Sequence, residues 1–175
     1  MARILIVYWT TDGQTRRICE RLREVIEPRG HEVALASLRD GASPDPGDYD
    51  KVVVGASIRY GRHHQVVFDY IERHLQALQS RPNAFFSVNV VARKPEKNTP
   101  QTNPYLQKFL KRIRWQPRHL GVFAGKLDYP KYDFLDRNVI RFIMWMTKGP
   151  TDPQAVVEFT DWGKVEEFGA LIGAM

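Results

Sequence analysis

Short apolar runs alternate with segments of helical periodicity along the whole chain. The apolar runs, in chain order, are residues 3–8, 32–37, 51–57, 84–90 and 120–125. Apolar residues spaced three and four positions apart predict helices at 15–28, 64–79, 105–113 and 161–172. Strands that are apolar on both faces and alternate with helices are typical of a parallel sheet covered on both sides. We therefore predict an α/β fold with a five-stranded parallel sheet, in one domain over residues 1–175.

A long segment before the last predicted helix exceeds what a five-stranded core requires. Residues 126–150 form this insertion, and on a helix Arg137 and Arg141 fall on one side while Phe142 and Trp145 fall on another. We predict a membrane or quinone contact, with the two aromatic side chains in the acyl boundary and the two arginines at anionic headgroups. The alternatives are a helix packed on the protein body and a contact within a homo-oligomer.

Three loops with unusual polar content follow predicted strands. Their sequences are WTTDGQT (9–15), SIRYGRHH (57–64) and NVVARKPEKNTPQTN (89–103). In a parallel α/β sheet the carboxyl ends of the strands share one edge, where ligands bind. We therefore expect the three loops to surround one binding site.

The first of these loops has the composition of a phosphate-binding turn. It joins a buried strand to a helix, where backbone N–H groups and the helix dipole favour an anion. Neither a Walker A string nor GxGxxG occurs in the chain, which disfavours ATP and NAD. Thr10, Thr11, Gly13, Gln14 and Thr15 are left to hold a small monophosphate such as that of FMN. The alternative interpretation of the threonines is a plain helix N-cap.

One residue of this loop carries the wrong charge for a phosphate contact. Asp12 places a carboxylate among the hydroxyl and glycine residues. Because an anion repels a phosphate, we expect its side chain to turn away and cap backbone N–H groups of the turn.

Composition and residue spacing indicate which compartment and which other ligands to expect. The chain has 175 residues and a net charge of +6. Its single cysteine, Cys19, lies on the apolar stripe of the first predicted helix. We therefore predict a buried thiol and a reducing, cytosolic compartment. We infer neither a secretory leader nor a membrane-spanning run. The adjacent His63 and His64 lack a third ligand at suitable spacing, so no metal site is predicted. The basic third loop lacks interleaved aromatic residues, which ranks nucleic acid low.

Four strings in order along the chain carry a family resemblance. They are TTDGQTR (10–16), VVVGASIRYG (52–61), VNVVARKPEKNTPQTN (88–103) and FTDW (159–162). Through them the chain resembles the flavodoxin-like FMN proteins and, among these, the quinone-dependent protoporphyrinogen oxidases of bacterial haem biosynthesis. The resemblance implies a flavodoxin-like strand order, noncovalent FMN, oxidation of protoporphyrinogen IX, electron transfer to a membrane quinone, and a position on the cytoplasmic face of the inner membrane.

The resemblance also implies the site residues. The cofactor contacts are Thr10, Thr11, Asp12, Gly13, Gln14, Thr15, Ser57, Ile58, Arg59, Tyr60, Gly61, Asn89, Val90, Val91, Ala92 and Arg93. Arg62, His63, Lys94 and Lys97 are predicted to meet the propionates of the substrate, the alternative being solvated surface loops. No catalytic base is assigned. The rival functions are an electron-carrier flavodoxin, a class that is generally acidic, and an NAD(P)H:quinone reductase.

Overall fold

The computed structural model describes residues 1–41 and 43–175, in which strands and helices alternate. The strands are β1 (Arg3–Trp9), β2 (Glu32–Ser37), β3 (Lys51–Arg59), β4 (Arg62–His63), β5 (Asn83–Asn89), β6 (His119–Ala124), β7 (Lys126–Asp128) and β8 (Val156–Glu158). The helices are α1 (Gln14–Ile26), α2 (Gln65–Arg73), α3 (Leu75–Gln79), α4 (Pro104–Arg112), α5 (Phe134–Met146) and α6 (Trp162–Ala174). No helix among the described residues has the length and apolar content needed to cross a bilayer.

Five parallel strands form the central sheet in the order β2-β1-β3-β5-β6, which confirms the predicted sheet. Side chains alternate between its two faces. On one face Leu5 packs in the cluster that includes residues of α2 and α4, and on the other face Ile4 packs with residues of α1 and α6. Helices therefore cover both faces, as the apolar strands predict.

The lone thiol lies inside the second of these layers. Cys19 on α1 is buried beside Ile18 and Leu22, and its burial raises the pKa of the thiol. The predicted core position is confirmed.

The second polar loop contains a hairpin that its sequence does not predict. Strand β3 continues to Arg59, and the two-residue turn Tyr60–Gly61 leads into the short antiparallel strand β4. Both turn residues have positive φ, 53° and 78°, which is the backbone geometry that favours a tight hairpin. Because strand side chains alternate, Arg62 is exposed and His63 is buried.

The helix predicted at 64–79 is two helices. Helix α2 ends and α3 begins at His74, which leaves the helical region at φ −111° and ψ 20°. Its ring packs against Tyr70, with 4.6 Å between the ring centroids. Neither glycine nor proline lies at this break, so the chain carries no local signal for it.

The insertion at 126–150 contains β7 and α5, and β7 pairs with β8, which follows the insertion in the chain. Strands β7 and β8 pair antiparallel, and α5 lies between them in the chain. Leu127, Tyr129, Tyr132, Ile140 and Met144 form a small hydrophobic cluster that is separate from the two layers of the main sheet. This cluster attaches the insertion beside the carboxyl edge of the sheet.

Candidate functional site

An open cleft lies at the carboxyl ends of β1, β3 and β5, beneath the insertion. The empty space inside it is about 930 Å³, which includes solvent at its open mouth. The lining residues are Thr10, Thr11, Asp12, Gln14, Thr15, Ser57, Ile58, Arg59, Tyr60, Gly61, Val88, Asn89, Val90, Val91, Arg93, Tyr105, Gly125, Lys126, Leu127, Tyr132, Ile140, Ile143, Met144 and Thr147. Every residue predicted to contact the cofactor is included except Gly13 and Ala92.

The loop after β1 is shaped by its own threonine. The hydroxyl of Thr10 accepts a hydrogen bond from the Gly13 N–H at 2.9 Å, and Gly13 has a φ of 98° that favours glycine. Helix α1 starts at the next residue, with no side-chain cap and no acidic residue in its first turn. The first N–H groups of a helix have no partner within it, so this end of α1 favours an anion.

A buried hydroxyl without a partner lies at the same helix terminus. Thr15 is 1% exposed, and within the described part of the chain its hydroxyl oxygen has no hydrogen-bond partner. An unsatisfied buried hydroxyl costs about 1–3 kcal/mol. Because the residue lines the cleft, a phosphate oxygen bound there would satisfy it.

The side chain of Asp12 corrects one prediction. It does not cap the turn, since Thr10 does so, and instead it forms an ion pair with Arg59. The guanidinium offers a charged partner, which a carboxylate prefers to neutral backbone N–H groups.

Gln14 contributes less to a phosphate contact than the sequence predicts. Its side-chain amide donates to Glu158 Oε1 and to Thr160 Oγ1, both at 2.9 Å. The indole N–H of Trp162 also donates to Glu158, at 3.0 Å. Glu158 and the FTDW string therefore connect the segment after the insertion to α1. The backbone N–H of Gln14 remains available to a ligand.

Arg39 is a site residue that the sequence analysis missed. Its Nε donates to the carbonyl oxygen of Thr10 at 2.8 Å, and its guanidinium lies 4.9 Å from the ring centroid of Trp9. By holding a loop carbonyl on the outer side, Arg39 fixes the orientation of the phosphate-binding turn. The available signal is strand order, because β2 lies beside β1 and Arg39 directly follows β2.

The wall formed by β5 is held by a buried amide pair. The side chains of Asn89 and Asn103 exchange hydrogen bonds of 3.0 and 3.3 Å, and Asn89 Oδ1 also accepts from the Ala92 N–H at 3.1 Å. Asn103 caps α4 by accepting from the N–H of Leu106. The loop after β5 is thus fixed to both a strand and a helix, with Ala92 buried behind the wall rather than in the cleft.

The inner face of α5 closes the cleft from above. Ile140, Ile143 and Met144 of this helix and Thr147, directly after it, line the cavity, so we call α5 the roof helix. Only Ile140 and Met144 of its thirteen residues are buried. The roof helix is therefore packed lightly on the body of the protein.

Two arginines connect the roof helix to the walls of the cleft. Arg59 forms ion pairs with Asp12 and, at 3.1 Å, with Asp136 near the start of the roof helix. Arg93 donates to the carbonyl oxygen of Thr147, at the end of the roof helix, at 3.1 Å. Each arginine predicted to lie beside the ring therefore also holds one end of the roof.

The structure removes His63 from the predicted set of exposed substrate contacts. His63 is 4% exposed, its Nε2 lies 2.9 Å from Ser87 Oγ, and its ring packs against Phe85 and Phe109. Burial lowers its pKa to about 4, so the imidazole is neutral and turned into the sheet. Arg62, Lys94 and Lys97 lie outside the cleft lining, and their contact with a substrate stays a prediction.

The outer face of the roof helix is apolar and exposed. Phe134, Leu135, Phe142, Trp145 and Met146 form this outer face, with Phe142 57% and Trp145 70% exposed. Ile143, on the same helix, lines the cleft instead.

The arginines predicted for headgroup contact have other partners. Arg137 donates to the carbonyl oxygens of Tyr129 and Tyr132, and Arg141 donates to that of Thr151 at 2.8 Å. Each guanidinium keeps its charge and at least one other nitrogen, so the headgroup contact of Arg137 and Arg141 stays a prediction. Among the described residues, no cluster of three or more His, Cys, Asp or Glu side chains has metal-binding geometry.

Comparison with known proteins gives matches over most of the chain. A family model described as Flavodoxin domain matches residues 5–154. A protoporphyrinogen IX dehydrogenase (quinone) of Escherichia coli strain K12 is 45% identical over 168 residues, which cover 96% of this chain and 93% of that protein. A protein of the same name from Leishmania major is 42% identical over 172 residues, covering 98% and 74% respectively.

Solved structures agree with the fold. The two-electron reduced flavodoxin of Megasphaera elsdenii aligns with a TM-score of 0.56 at 12% identity, covering 96% of this chain and 98% of that one. Oxidised flavodoxin 1 of Bacillus cereus aligns with a TM-score of 0.53 at 16% identity, covering 96% and 95%. At these identities the likeness concerns the fold alone.

The buried imidazole generates a prediction about acid stability. The pKa of His63 is about 4 in the folded protein and about 6.5 in the unfolded chain. As the pH falls, the unfolded chain therefore binds a proton before the folded protein does. Stability is complete above about pH 6.5 and falls as the pH drops toward 4, by about 3 kcal/mol from this group. We expect His63→Gln, which keeps a polar partner for Ser87 without titrating in this range, to lose that part of the pH dependence in urea unfolding at pH 7, 5.5 and 4.5. If the free energy of unfolding changed with pH equally in both proteins, this assignment would be wrong.

Proposed function

The chain belongs to the flavodoxin family, and on that premise we propose that it is an FMN-dependent dehydrogenase that oxidises protoporphyrinogen IX to protoporphyrin IX and passes the electrons to a quinone. The observation that carries this proposal is the extent of the match to the Escherichia coli dehydrogenase. All but seven of the 175 residues fall within it, so it includes the insertion that distinguishes this chain from a short flavodoxin.

The residues of the cleft fit the two ends of FMN. At one end, the unpartnered hydroxyl of Thr15 and the first N–H groups of α1 suit a phosphate. Beyond this end, Ser57, Tyr60 and Asn89 belong to the two strand ends that flank the space for a flat ring. FMN, when bound, supplies the acceptor for hydride and the relay of electrons to quinone, while the protein positions and tunes it.

The side chains above the ring space exclude water. Tyr132, Ile140, Ile143 and Met144 form an apolar wall on the side of the insertion. Asp12 is the only carboxylate in the described lining, and it is engaged by Arg59. We therefore assign no side chain as proton acceptor, and the proton released at each two-electron step leaves to solvent through the open mouth.

Basic residues beside the cleft suit a dicarboxylate substrate. Arg62 follows the lining residue Gly61, and Lys94 and Lys97 follow the lining residue Arg93. A porphyrinogen carries its charge on propionates, so these residues would hold the carboxylates at the rim while the apolar macrocycle meets the wall.

The outer face of the roof helix suits a membrane surface, which is where a quinone is found. Phe142 and Trp145 provide apolar bodies for the acyl boundary, and the exposed Lys131 and Lys148 provide charge for anionic headgroups. This arrangement supports a peripheral position on the cytoplasmic face of the inner membrane.

The unpartnered hydroxyl gives a prediction with opposite signs for stability and binding. Thr15→Val removes an unsatisfied buried hydroxyl, so we expect the ligand-free protein to gain about 1 kcal/mol in urea unfolding. The same variant should bind FMN about tenfold more weakly in a flavin-fluorescence titration, since the phosphate loses a donor. Thr151→Val, at a partly exposed position outside the cleft lining, is the control. Unchanged FMN affinity in Thr15→Val would remove Thr15 from the site.

The proposed reaction is tested with the FMN-loaded protein under anaerobic conditions. We expect protoporphyrinogen IX to bleach the flavin absorbance and a menaquinone analogue to restore it. Bleaching by NAD(P)H but not by the porphyrinogen would instead indicate an NAD(P)H:quinone reductase. Bleaching by neither, with reduction by a flavodoxin reductase, would indicate an electron carrier.

The membrane contact is tested by co-sedimentation with vesicles containing phosphatidylglycerol. We expect the double variant Phe142→Ser/Trp145→Ser to bind at least tenfold more weakly, because each aromatic side chain loses its burial in the interface. Leu171→Ser, on α6, controls for loss of an exposed apolar residue. Wild-type binding by the double variant would contradict a lipid contact, and a change in sedimentation coefficient without a change in lipid binding would assign the face to a homo-oligomer.

A further inference from the structure

One guanidinium is shared by two carboxylates at the boundary between the phosphate loop and the roof helix. Arg59 pairs with Asp12 of the loop and with Asp136 of the roof helix, and the Tyr132 ring lies 5.3 Å from its guanidinium carbon. All three charged side chains are at least partly shielded, with Arg59 21% exposed. Two negative charges therefore depend on one positive charge.

The position of Asp12 makes this sharing consequential. Asp12 and Thr15 line the same cleft and are separated by only two residues at the start of α1. A carboxylate beside a bound phosphate is repelled unless a cation neutralises it, and the repulsion is strong in a partly buried site. Arg59 is the cation that the structure pairs with Asp12.

We propose that Arg59 is a positioning residue that sets the affinity of the loop for the cofactor phosphate by neutralising Asp12, and that Asp136 competes for the same guanidinium. This inference rests on the proposed binding of FMN. It identifies a coupling between the loop and the roof helix that neither the loop residues nor the roof residues produce alone.

Phosphate binding and the ion pair between Arg59 and Asp136 oppose each other. A bound phosphate adds negative charge on the loop side, which draws Arg59 toward Asp12 and weakens its bond to Asp136. By linkage, if phosphate binding weakens the bond to Asp136 by some factor, the presence of that bond weakens phosphate binding by the same factor. Phosphate binding therefore loosens the start of the roof helix, and removal of the Asp136 charge tightens FMN binding.

A comparison of FMN with riboflavin isolates the phosphate, since riboflavin has the same ring and lacks that group. Dissociation constants for both ligands are measured by flavin-fluorescence quenching with wild-type protein, Arg59→Met, Asp12→Asn, the double variant Arg59→Met/Asp12→Asn and Asp136→Asn. Arg73→Met, an exposed arginine near the end of α2, controls for net charge. Circular dichroism checks that each variant is folded.

We expect Arg59→Met to weaken FMN binding about tenfold more than it weakens riboflavin binding. In the Asp12→Asn background the same substitution should change FMN affinity by less than about threefold, because the charge that Arg59 neutralises is absent. Asp136→Asn should tighten FMN binding about threefold. Added salt should reduce each difference.

Several results would overturn the inference. Equal weakening of FMN and riboflavin by Arg59→Met would show that Arg59 supports the cleft generally, and an undiminished effect in the Asp12→Asn background would remove Asp12 from the argument. Unchanged or weaker FMN binding by Asp136→Asn would remove the competition. Failure of the wild-type protein to bind FMN would instead overturn the proposed function, and the two failures are thereby distinguished.

Discussion

The parallel pairing of β1, β3 and β5 is the constraint on which the rest of the structure depends. These three strands run side by side in one direction, so their carboxyl ends meet at one edge. Loops that start 48 and 32 residues apart in the chain, at residues 9, 57 and 89, become the walls of one cleft. Each connecting helix returns the chain to the opposite edge, and each loop at the near edge is then available for ligand contacts rather than for chain reversal alone.

The walls of the cleft differ in how completely their polar groups are satisfied. On the β5 side, Asn89 and Asn103 use their amides on each other and on backbone N–H groups, so this wall is complete without a ligand. On the β1 side, the hydroxyl of Thr15 and the start of α1 are left without partners among the described residues. The β5 side, whose side-chain amides are already paired, is rigid. The unpaired groups on the β1 side gain hydrogen bonds when a ligand binds, and these bonds favour binding.

The amino-acid sequence predicts the sheet and most of the cleft lining because those features depend on local patterns. Apolar strands identified β1, β3 and β5, and strand polarity then brought Ser57 and Val91 to the same edge. The burial of His63 does not follow from local pattern, because a hairpin with Tyr60 and Gly61 at the turn lacks the usual Asn-Gly signal for alternating exposed and buried residues. Arg39 and Asp136 were missed for another reason. Their partners lie 29 and 77 residues away in the chain, and only tertiary packing brings the charges together.

The two faces of the roof helix have a consequence for the order in which reactants meet. A helix with its side chains is about 10 Å across, and this one has the cleft on one side and Phe142 and Trp145 on the other. In the docked orientation that we propose, hydrocarbon and cleft are separated by that single helix. An electron acceptor dissolved in lipid then approaches without crossing water, whereas a charged donor enters from the aqueous mouth. The helix thus separates the lipid, which holds the electron acceptor, from the water, which holds the electron donor, until both reach the same site.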